Sequence, residues 1–252
     1  MTRFYEHTRK VMAAGGLLGV KSGIDSLDAI LGGFWNEQLT TLGGRPSMGK
    51  TALLETCSVN SMLFDGRPLF VSLEMPEALL WPRLLSKLCE IDSASIRAHS
   101  LTADGIRSLH AAMLWFRQSP FRLVAKSGLT IGQIRSLARK EVKRHGVNVI
   151  YVDYLQKIRP TRKHHSREQE VSEISNGLHE LAVELNIPVV VGAQVNRGAA
   201  ARADKRPTMS DLRESGAIEN DSDNVVLIHR EAYYRREQVK KGERERAHGE
   251  TF

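Results

Sequence analysis

Short apolar runs recur along the chain at intervals that leave room for a helix between most of them. Six of these runs have the length and composition of strands, at residues 38–44, 69–74, 121–125, 147–153, 187–193 and 223–229. Several are apolar along most of their length, which is typical of strands covered on both faces. The alternation with helical segments predicts an α/β fold, with a mostly parallel, twisted sheet and helices on both of its faces.

Two of the intervening segments show a helical pattern with recognisable ends. In residues 130–146, Thr130 and Gln133 have the spacing of a capping box, apolar residues follow at helical spacing, and Gly146 comes after the last turn. Residues 168–186 repeat the helical spacing with Val171, Ile174, Leu178, Leu181 and Leu185. Both segments are predicted to be helices that pack on the sheet.

Two longer segments, residues 159–169 and 195–223, follow strands and are polar and basic, with little core-forming pattern. We expect loops at the carboxyl edge of the sheet, where open α/β folds bind ligands. Their basic side chains could neutralise the phosphates of a nucleic acid strand, or could form an ordinary solvated face. These residues are Arg159, Arg162, Lys163, Arg167, Arg197, Arg202, Lys205, Arg206 and Arg213.

Composition narrows the class of protein. The 252 residues carry a net charge of +7, which permits a polyanionic partner, and the two cysteines have no metal-binding or disulfide spacing. No apolar stretch approaches the roughly 20 residues of a membrane helix, so we expect a cytoplasmic protein without membrane contact. The predicted organisation is an N-terminal arm at 1–19, one folded domain at 20–234 and a charged tail at 235–252.

The strongest chemical signal is the stretch GGRPSMGKTALL at residues 43–54. It fits the phosphate-binding pattern G-x-x-x-x-G-K-[ST], and a strand-like run precedes it while a helical one follows. The glycines let backbone amides turn toward a phosphate, the lysine reaches the terminal phosphates, and the threonine hydroxyl faces Mg²⁺. The predicted nucleotide-binding residues are Arg45, Pro46, Ser47, Met48, Gly49, Lys50 and Thr51.

Three polar residues end later strand-like runs and are candidates for chemistry at this loop. Asp153 ends an apolar run, where nucleotide-binding sheets hold Mg²⁺, although an acidic residue there is also a common turn or cap residue. Glu74 could orient and deprotonate an attacking water, or could be a surface residue at a strand end. Gln194 could contact a γ-phosphate and sense its loss, or simply pair with a loop backbone group.

Taken together, five stretches resemble a known family: GGRPSMGKT, SLEMP, VDYLQ, AQVNR and RADKRPTMSDLRESGAIENDSDNVVLIHREAYY. In this order and at these intervals they are similar to the C-terminal ATPase domain of the DnaB-type replicative helicases of bacteria and phages. The resemblance covers roughly residues 19–234. The SDLRESGAIENDSD stretch is its most specific part, whereas SGIDSLDAILGG is shared with other RecA-like ATPases.

The resemblance implies a RecA-like P-loop fold, a homo-oligomeric ring of six subunits, and ATP-driven movement on single-stranded DNA, normally 5′ to 3′, in a bacterial or phage-infected cell. It implies ATP and Mg²⁺ as cofactors. By position, Glu74, Lys50 and Gln194 would be catalytic, and Thr51 and Asp153 would hold the metal. The DNA-contacting residues would be Arg213, Glu214 and Gly216.

Two departures from the family pattern qualify these expectations. The family's N-terminal domain, which meets primase, has no counterpart, so primase contact is not part of the expectation; a helicase loader is a candidate partner. Residues 235–252 lack the family's strand with a Lys/Arg pair that reaches the neighbour's ATP, which predicts impaired hydrolysis unless another basic residue substitutes. The basic residues of that segment are Arg235, Arg236, Lys240, Lys241, Arg244 and Arg246.

Two other functions are compatible with the same residues. A truncated ATP-binding module with weak hydrolysis, acting beside a full-length helicase or its loader, would follow from the departures above. A RadA-like or RecA-like recombination ATPase would share the phosphate loop and the segment before it. The helicase is the leading hypothesis because Glu74 and the SDLRESG stretch match its family.

Overall fold

A parallel sheet of six strands organises the part of the chain that the computed structural model describes, residues 19–162, 164–196, 205–212 and 216–234. The strand order is β3-β2-β4-β5-β1-β6, and every neighbouring pair is parallel. The strands are β1 (Leu39–Gly44), β2 (Pro68–Ser72), β3 (Arg122–Ala125), β4 (Val149–Asp153), β5 (Val189–Gln194) and β6 (Asn224–Ile228). All six predicted strands are confirmed, with ends that differ by up to two residues.

Helices connect the strands and cover both faces of the sheet. They are α1 (Asp25–Leu31), α2 (Lys50–Ser61), α3 (Glu77–Cys89), α4 (Ser93–Arg97), α5 (Ala103–Gln118), α6 (Ile131–His145), α7 (Arg167–Leu185) and α8 (Gly216–Asp221). Short 3₁₀ turns lie at Met62–Phe64, Leu155–Lys157 and Met209–Leu212. Within the described ranges, no helix is long and apolar enough to cross a membrane.

The side chains of the strands alternate between two hydrophobic cores. Along β4, Ile150 and Val152 join the core beneath α6 and α7, whereas Val149 and Tyr151 join the core beneath α2, α3 and α5. Successive side chains of a strand point to opposite faces, so each strand supplies both cores. The buried pattern of β1, β2 and β4 therefore confirms the prediction of strands covered on both faces.

The helix α6 has the ends that its sequence predicts. The Thr130 hydroxyl accepts a hydrogen bond from the Gln133 amide at 3.3 Å, and the Gln133 side-chain oxygen accepts one from the Thr130 amide at 3.0 Å. Gly146 ends the helix with a φ of 63°, in the left-handed region that favours glycine. The capping box and the glycine stop are both confirmed.

Two expectations differ from the structure. The edge strands β3 and β6 are only partly buried, because each has a neighbour on one side alone. Residues 195–223 are not a plain loop: the 3₁₀ turn at Met209–Leu212 and helix α8 lie within them, and Leu212 and Ile218 are buried in the core under α7. Isolated apolar residues six positions apart give no periodic signal, so the pattern missed them.

Several predictions fall on residues outside the described ranges. They concern the N-terminal arm up to residue 18, the charged segment 235–252, and the side chains of Lys163, Arg197, Arg202, Arg213 and Glu214. Arg167, which was grouped with the loop 159–169, is the first residue of α7.

Candidate nucleotide-binding site

The loop between β1 and α2 has the backbone of a phosphate cradle. Strand β1 is buried along its whole length and ends at Gly44, and α2 begins at Lys50. Ser47 has a φ of 66° and Gly49 a φ of 101°. A Cβ on Gly49 would find one atom within 4 Å, the Cδ of Arg230 at 4.0 Å, so the backbone conformation, and not crowding, requires glycine there.

The Lys50 side chain lies inside this loop. Its Nζ donates hydrogen bonds to the carbonyl oxygens of Gly44 at 2.8 Å and Arg45 at 3.2 Å. Burial lowers the pKa of Lys50, while the negative charges of Asp153 and Glu74 act in the opposite direction. The ammonium group is therefore held at the start of α2, where the backbone amides of a helix N-terminus also favour an anion.

Asp153 ends β4 directly beside the first turn of α2. Its Oδ2 accepts a hydrogen bond from the Thr51 hydroxyl at 2.9 Å, and its Oδ1 is buried without a hydrogen-bond partner among the described residues. Burial raises the pKa of Asp153 to about 6, against the lowering effect of the Thr51 hydrogen bond. The Asp153–Tyr154 peptide bond is cis.

This pair fits a magnesium ion by its donor chemistry. Mg²⁺ prefers hard oxygen ligands and is usually held by one or two protein oxygens together with substrate phosphates. The unpartnered Oδ1 of Asp153 is an oxygen of that kind, and Thr51 supplies a hydroxyl next to it. A bound cation would also remove the cost of a buried, unsatisfied carboxylate oxygen.

A cavity of about 430 Å³ opens in front of the loop. It brings together residues that are far apart in sequence, with the predicted Glu74 and Gln194 facing the phosphate loop. Its lining consists of Pro46, Ser47, Gly49, Lys50, Thr51, Ala52, Glu74, Arg83, Tyr154, Gln194 and Arg230. A larger cavity of about 880 Å³ lies between α6, α7 and the described residues 161, 162, 164 and 165, but none of its lining belongs to the phosphate loop. The geometry of the phosphate loop, and not the cavity volume, therefore identifies the candidate nucleotide site.

Glu74 lies in the turn that follows β2. The strand ends at Ser72, two residues earlier than predicted, because the Ser72 hydroxyl donates to the Met75 carbonyl at 2.9 Å and starts the turn. The Glu74 carboxylate is about half exposed, and its Oε1 lies 3.8 Å from the Nζ of Lys157. Glu74 is thus an accessible carboxylate at the rim of the cavity.

Four further residues of the cavity were not among the predicted site residues: Ala52, which directly follows the predicted loop, and Arg83, Tyr154 and Arg230. Arg83 comes from α3, and its Nε donates to the Oε1 of the buried Glu55 at 2.7 Å. No motif marks Arg83 in the sequence. Tyr154 and Arg230 belong to the stretches VDYLQ and HREAYY, so the family resemblance was a signal that could have found them.

Of the three predicted DNA-contacting residues, the structure describes only Gly216, which does not line this cavity. Gly216 is the first residue of α8, is exposed, and has nothing within 4 Å of the position that a Cβ would take. The described structure does not bring it together with the nucleotide site. Arg213 and Glu214 lie outside the described residues, so their placement stays a prediction.

Sequence comparison connects this geometry with known proteins. The family model of the DnaB-like helicase C-terminal domain matches residues 19–250, which includes most of the charged C-terminal segment. The replicative DNA helicase DnaB of Rickettsia prowazekii is 41% identical over 229 residues, covering 86% of this chain and 47% of the relative. That of Leifsonia xyli subsp. xyli is 35% identical over 230 residues, covering 91% and 50%. The chain thus spans about half the length of these curated relatives.

Comparison with solved structures also finds DnaB-like ATPase domains. A DnaB-like replicative helicase, solved in a study of its interactions with primase, superposes with a TM-score of 0.86 at 32% identity, covering 92% of this chain and 57% of that one. A second structure, solved as an isolated ATPase domain, gives 0.86 at 31% identity, covering 92% and 84%. The RecA-like fold predicted from the resemblance is confirmed. With a family match over nearly all of its length, the chain belongs to the DnaB-like helicase C-terminal domain family.

Proposed function

We propose that this chain is the motor domain of a DnaB-type replicative helicase, which couples ATP hydrolysis to movement on single-stranded DNA. One observation carries the proposal. A single cavity unites the phosphate loop with an accessible carboxylate, Glu74, from the turn after β2, and an amide, Gln194, from the end of β5. Membership of the DnaB-like family supports the same function.

The residues of the cavity fit distinct roles in phosphoryl transfer. Backbone N–H groups of Ser47, Met48 and Gly49, together with the Lys50 ammonium, would bind the β- and γ-phosphates of ATP. Glu74 would accept a proton from the attacking water, since it is a carboxylate accessible from the cavity. Gln194 would contact the γ-phosphate, because its side chain lines the cavity from the end of the neighbouring strand.

Thr51 and Asp153 would hold Mg²⁺, as their oxygen donors fit that ion. Held by these residues, Mg²⁺ would supply positive charge against the negative charge that develops on the transferring phosphate. Asp153 and Thr51 are already hydrogen-bonded to each other, so ordering these ligands costs the protein little.

Family membership supports the proposal for the DNA and for the other subunits. Relatives over most of this chain are replicative DNA helicases, which supports single-stranded DNA as the polymer and a ring of identical subunits as the working form. The basic residues Arg159 and Arg162 lie just after β4, at the carboxyl edge of the sheet, where they could contact DNA phosphates. We extend the proposal to 5′-to-3′ movement and to a helicase loader as a partner.

The proposed function is tested by ATP hydrolysis with and without oligo(dT), on the native chain and on Lys50→Ala, with light scattering on the same samples. We expect turnover that single-stranded DNA stimulates and that Lys50→Ala abolishes, from a particle with the mass of a ring. Binding of ATP without turnover under all these conditions would contradict the motor and favour an ATP-binding module. Turnover that persists in Lys50→Ala would place the activity elsewhere.

A further inference from the structure

The side chain of Gln156 makes two hydrogen bonds to the main chain of Gln194. Its Oε1 accepts from the Gln194 amide at 3.0 Å, and its Nε2 donates to the Gln194 carbonyl at 3.1 Å. Gln156 lies in the 3₁₀ turn at Leu155–Lys157, shortly after Asp153. Two residues that are 38 positions apart in the sequence are thus joined at the cavity of the proposed nucleotide site.

These two hydrogen bonds lie beyond the point where the pairing of β4 with β5 ends. The pairing of β4 with β5 ends at Val152 and Val191, whereas β5 continues to Gln194. On its other edge, Gln194 still pairs in register with Gly44, the last residue before the phosphate loop. The side-chain amide of Gln156 therefore makes the contacts that a neighbouring strand would make. The end of β5 is bound by Gln156 on one side and by β1 on the other. The side chain of Gln194 takes no part in these contacts.

Gln156 is also attached to the start of α7. Its carbonyl oxygen accepts a hydrogen bond from Nη2 of Arg167 at 3.0 Å, and Nη1 of Arg167 donates to Glu170 at 2.8 Å. The basic segment 159–166 runs between Gln156 and Arg167. Gln156 thus contacts both the end of β5 and the first residue of α7, the helix that follows the basic segment.

We propose that Gln156 is a positioning residue that couples the γ-phosphate contact of Gln194 to the basic segment 159–166. This inference rests on the proposed function, because it requires ATP in the cavity and DNA on that segment. The end of β5 cannot shift without either breaking both hydrogen bonds or moving the turn that carries Gln156. Moving that turn displaces Arg167 and the segment before it, so the state of the nucleotide changes the affinity for DNA.

The coupling is measured as a ratio of two DNA affinities. Fluorescence anisotropy of labelled oligo(dT) gives the Kd of the full chain with ATPγS and with ADP, each with Mg²⁺. For the native chain we expect the two Kd values to differ by about 5-fold to 150-fold, the usual range for coupled sites. For Gln156→Ala we expect the ratio to fall below about 2-fold, while mant-ATP still binds, because the phosphate loop itself is unchanged.

Two further variants keep this test sharp. Gln156→Glu has nearly the same shape and still accepts from the Gln194 amide, but it cannot donate to the Gln194 carbonyl, so it should lower the ratio even if the alanine variant folds poorly. Gln169→Ala is the matched control. It removes a glutamine that holds the same segment, through the His165 amide at 3.2 Å, without contact to Gln194. Its ratio should stay at the native value.

A double-mutant cycle with Gln194→Ala separates positioning from a general structural effect. Once the side chain of residue 194 is gone, Gln156→Ala should lower the ratio no further, whereas independent structural effects would add. A native ratio in both Gln156 variants would overturn the inference and leave the proposed function intact. Equal DNA affinities with ATPγS and ADP in the native chain, without DNA-stimulated turnover, would instead overturn the proposed function.

Discussion

Thr51 and Asp153, which are 102 positions apart in the sequence, meet in a hydrogen bond of 2.9 Å from the threonine hydroxyl to Oδ2 of the aspartate. This bond joins the first turn of α2 to the end of β4. It leaves Oδ1 of Asp153 buried and without a partner among the described residues. The two residues therefore place a hydroxyl oxygen and a carboxylate oxygen next to each other beside the phosphate loop.

The Asp153→Asn variant tests whether this pair holds Mg²⁺. We expect kcat for ATP hydrolysis to fall by about 100-fold or more, because an electrostatic contact to the transferring phosphoryl group is lost. Binding of mant-ATP in EDTA should be unchanged, and its strengthening by added Mg²⁺ should disappear. Thr51→Ser, which keeps the hydroxyl, is the control. Undiminished strengthening by Mg²⁺ in Asp153→Asn would contradict this assignment.

Arg83 is expected to stabilise the fold by compensating the buried carboxylate of Glu55. The Glu55 side chain is 1% exposed, and Arg83 Nε lies 2.7 Å from it. Removing Arg83 leaves the buried Glu55 charge compensated only by Lys87 at 3.9 Å, so Arg83→Ala should lower the free energy of unfolding by about 2–3 kcal/mol in urea denaturation at about pH 7.5. Lys87→Ala, which removes the longer 3.9 Å contact to Glu55, should cost less.

The cost of Arg83→Ala should depend on pH. Burial raises the pKa of Glu55 above its ordinary value of 4.5, and the hydrogen bond and charge of Arg83 oppose this rise. Without Arg83, the pKa of Glu55 in the folded state is higher still. As the pH is lowered, Glu55 therefore takes up a proton in the folded protein at a higher pH than it does in the unfolded chain. Stability is therefore regained as the pH falls through that pKa toward 4.5, and lost as the pH rises through it. An equal destabilisation at about pH 7.5 and about pH 5 would contradict this mechanism.

The capping box of α6 should make a measurable contribution to stability. Thr130→Ala removes the acceptor for the Gln133 amide, and we expect a loss of about 1 kcal/mol in the free energy of unfolding. For a chain of this size that loss corresponds to a decrease in Tm of roughly 2–4 °C. Thr130→Ser keeps the hydroxyl and should behave like the native protein. Equal Tm values for the alanine and serine variants would rule out the cap as the cause.

The sequence predicted best where one local rule applies. The ends of α6 follow from Thr130 and Gly146 alone, and the phosphate loop follows from a fixed spacing of glycine, lysine and threonine. The strand-end position of Asp153 follows from its place after a buried run, since β4 is uniformly apolar up to that residue.

The residues that the sequence did not predict are placed by tertiary packing. Arg83 reaches the cavity because α3 crosses α2 at Glu55, a contact between elements that no spacing reveals. The proposed role of Gln156 depends on hydrogen bonds to the main chain of a residue on another strand. Leu212 and Ile218 enter the core singly, so they give no periodic signal.

The most direct test of the motor is the Glu74→Gln variant, assayed for ATP hydrolysis with saturating oligo(dT) and for mant-ATP binding in the same buffer. The amide keeps the size of the side chain but cannot accept the proton of the attacking water. We predict native affinity for mant-ATP together with a loss of about 100-fold or more in DNA-stimulated turnover. Turnover at the native rate would contradict the account, because the carboxylate in the cavity would then have no part in hydrolysis.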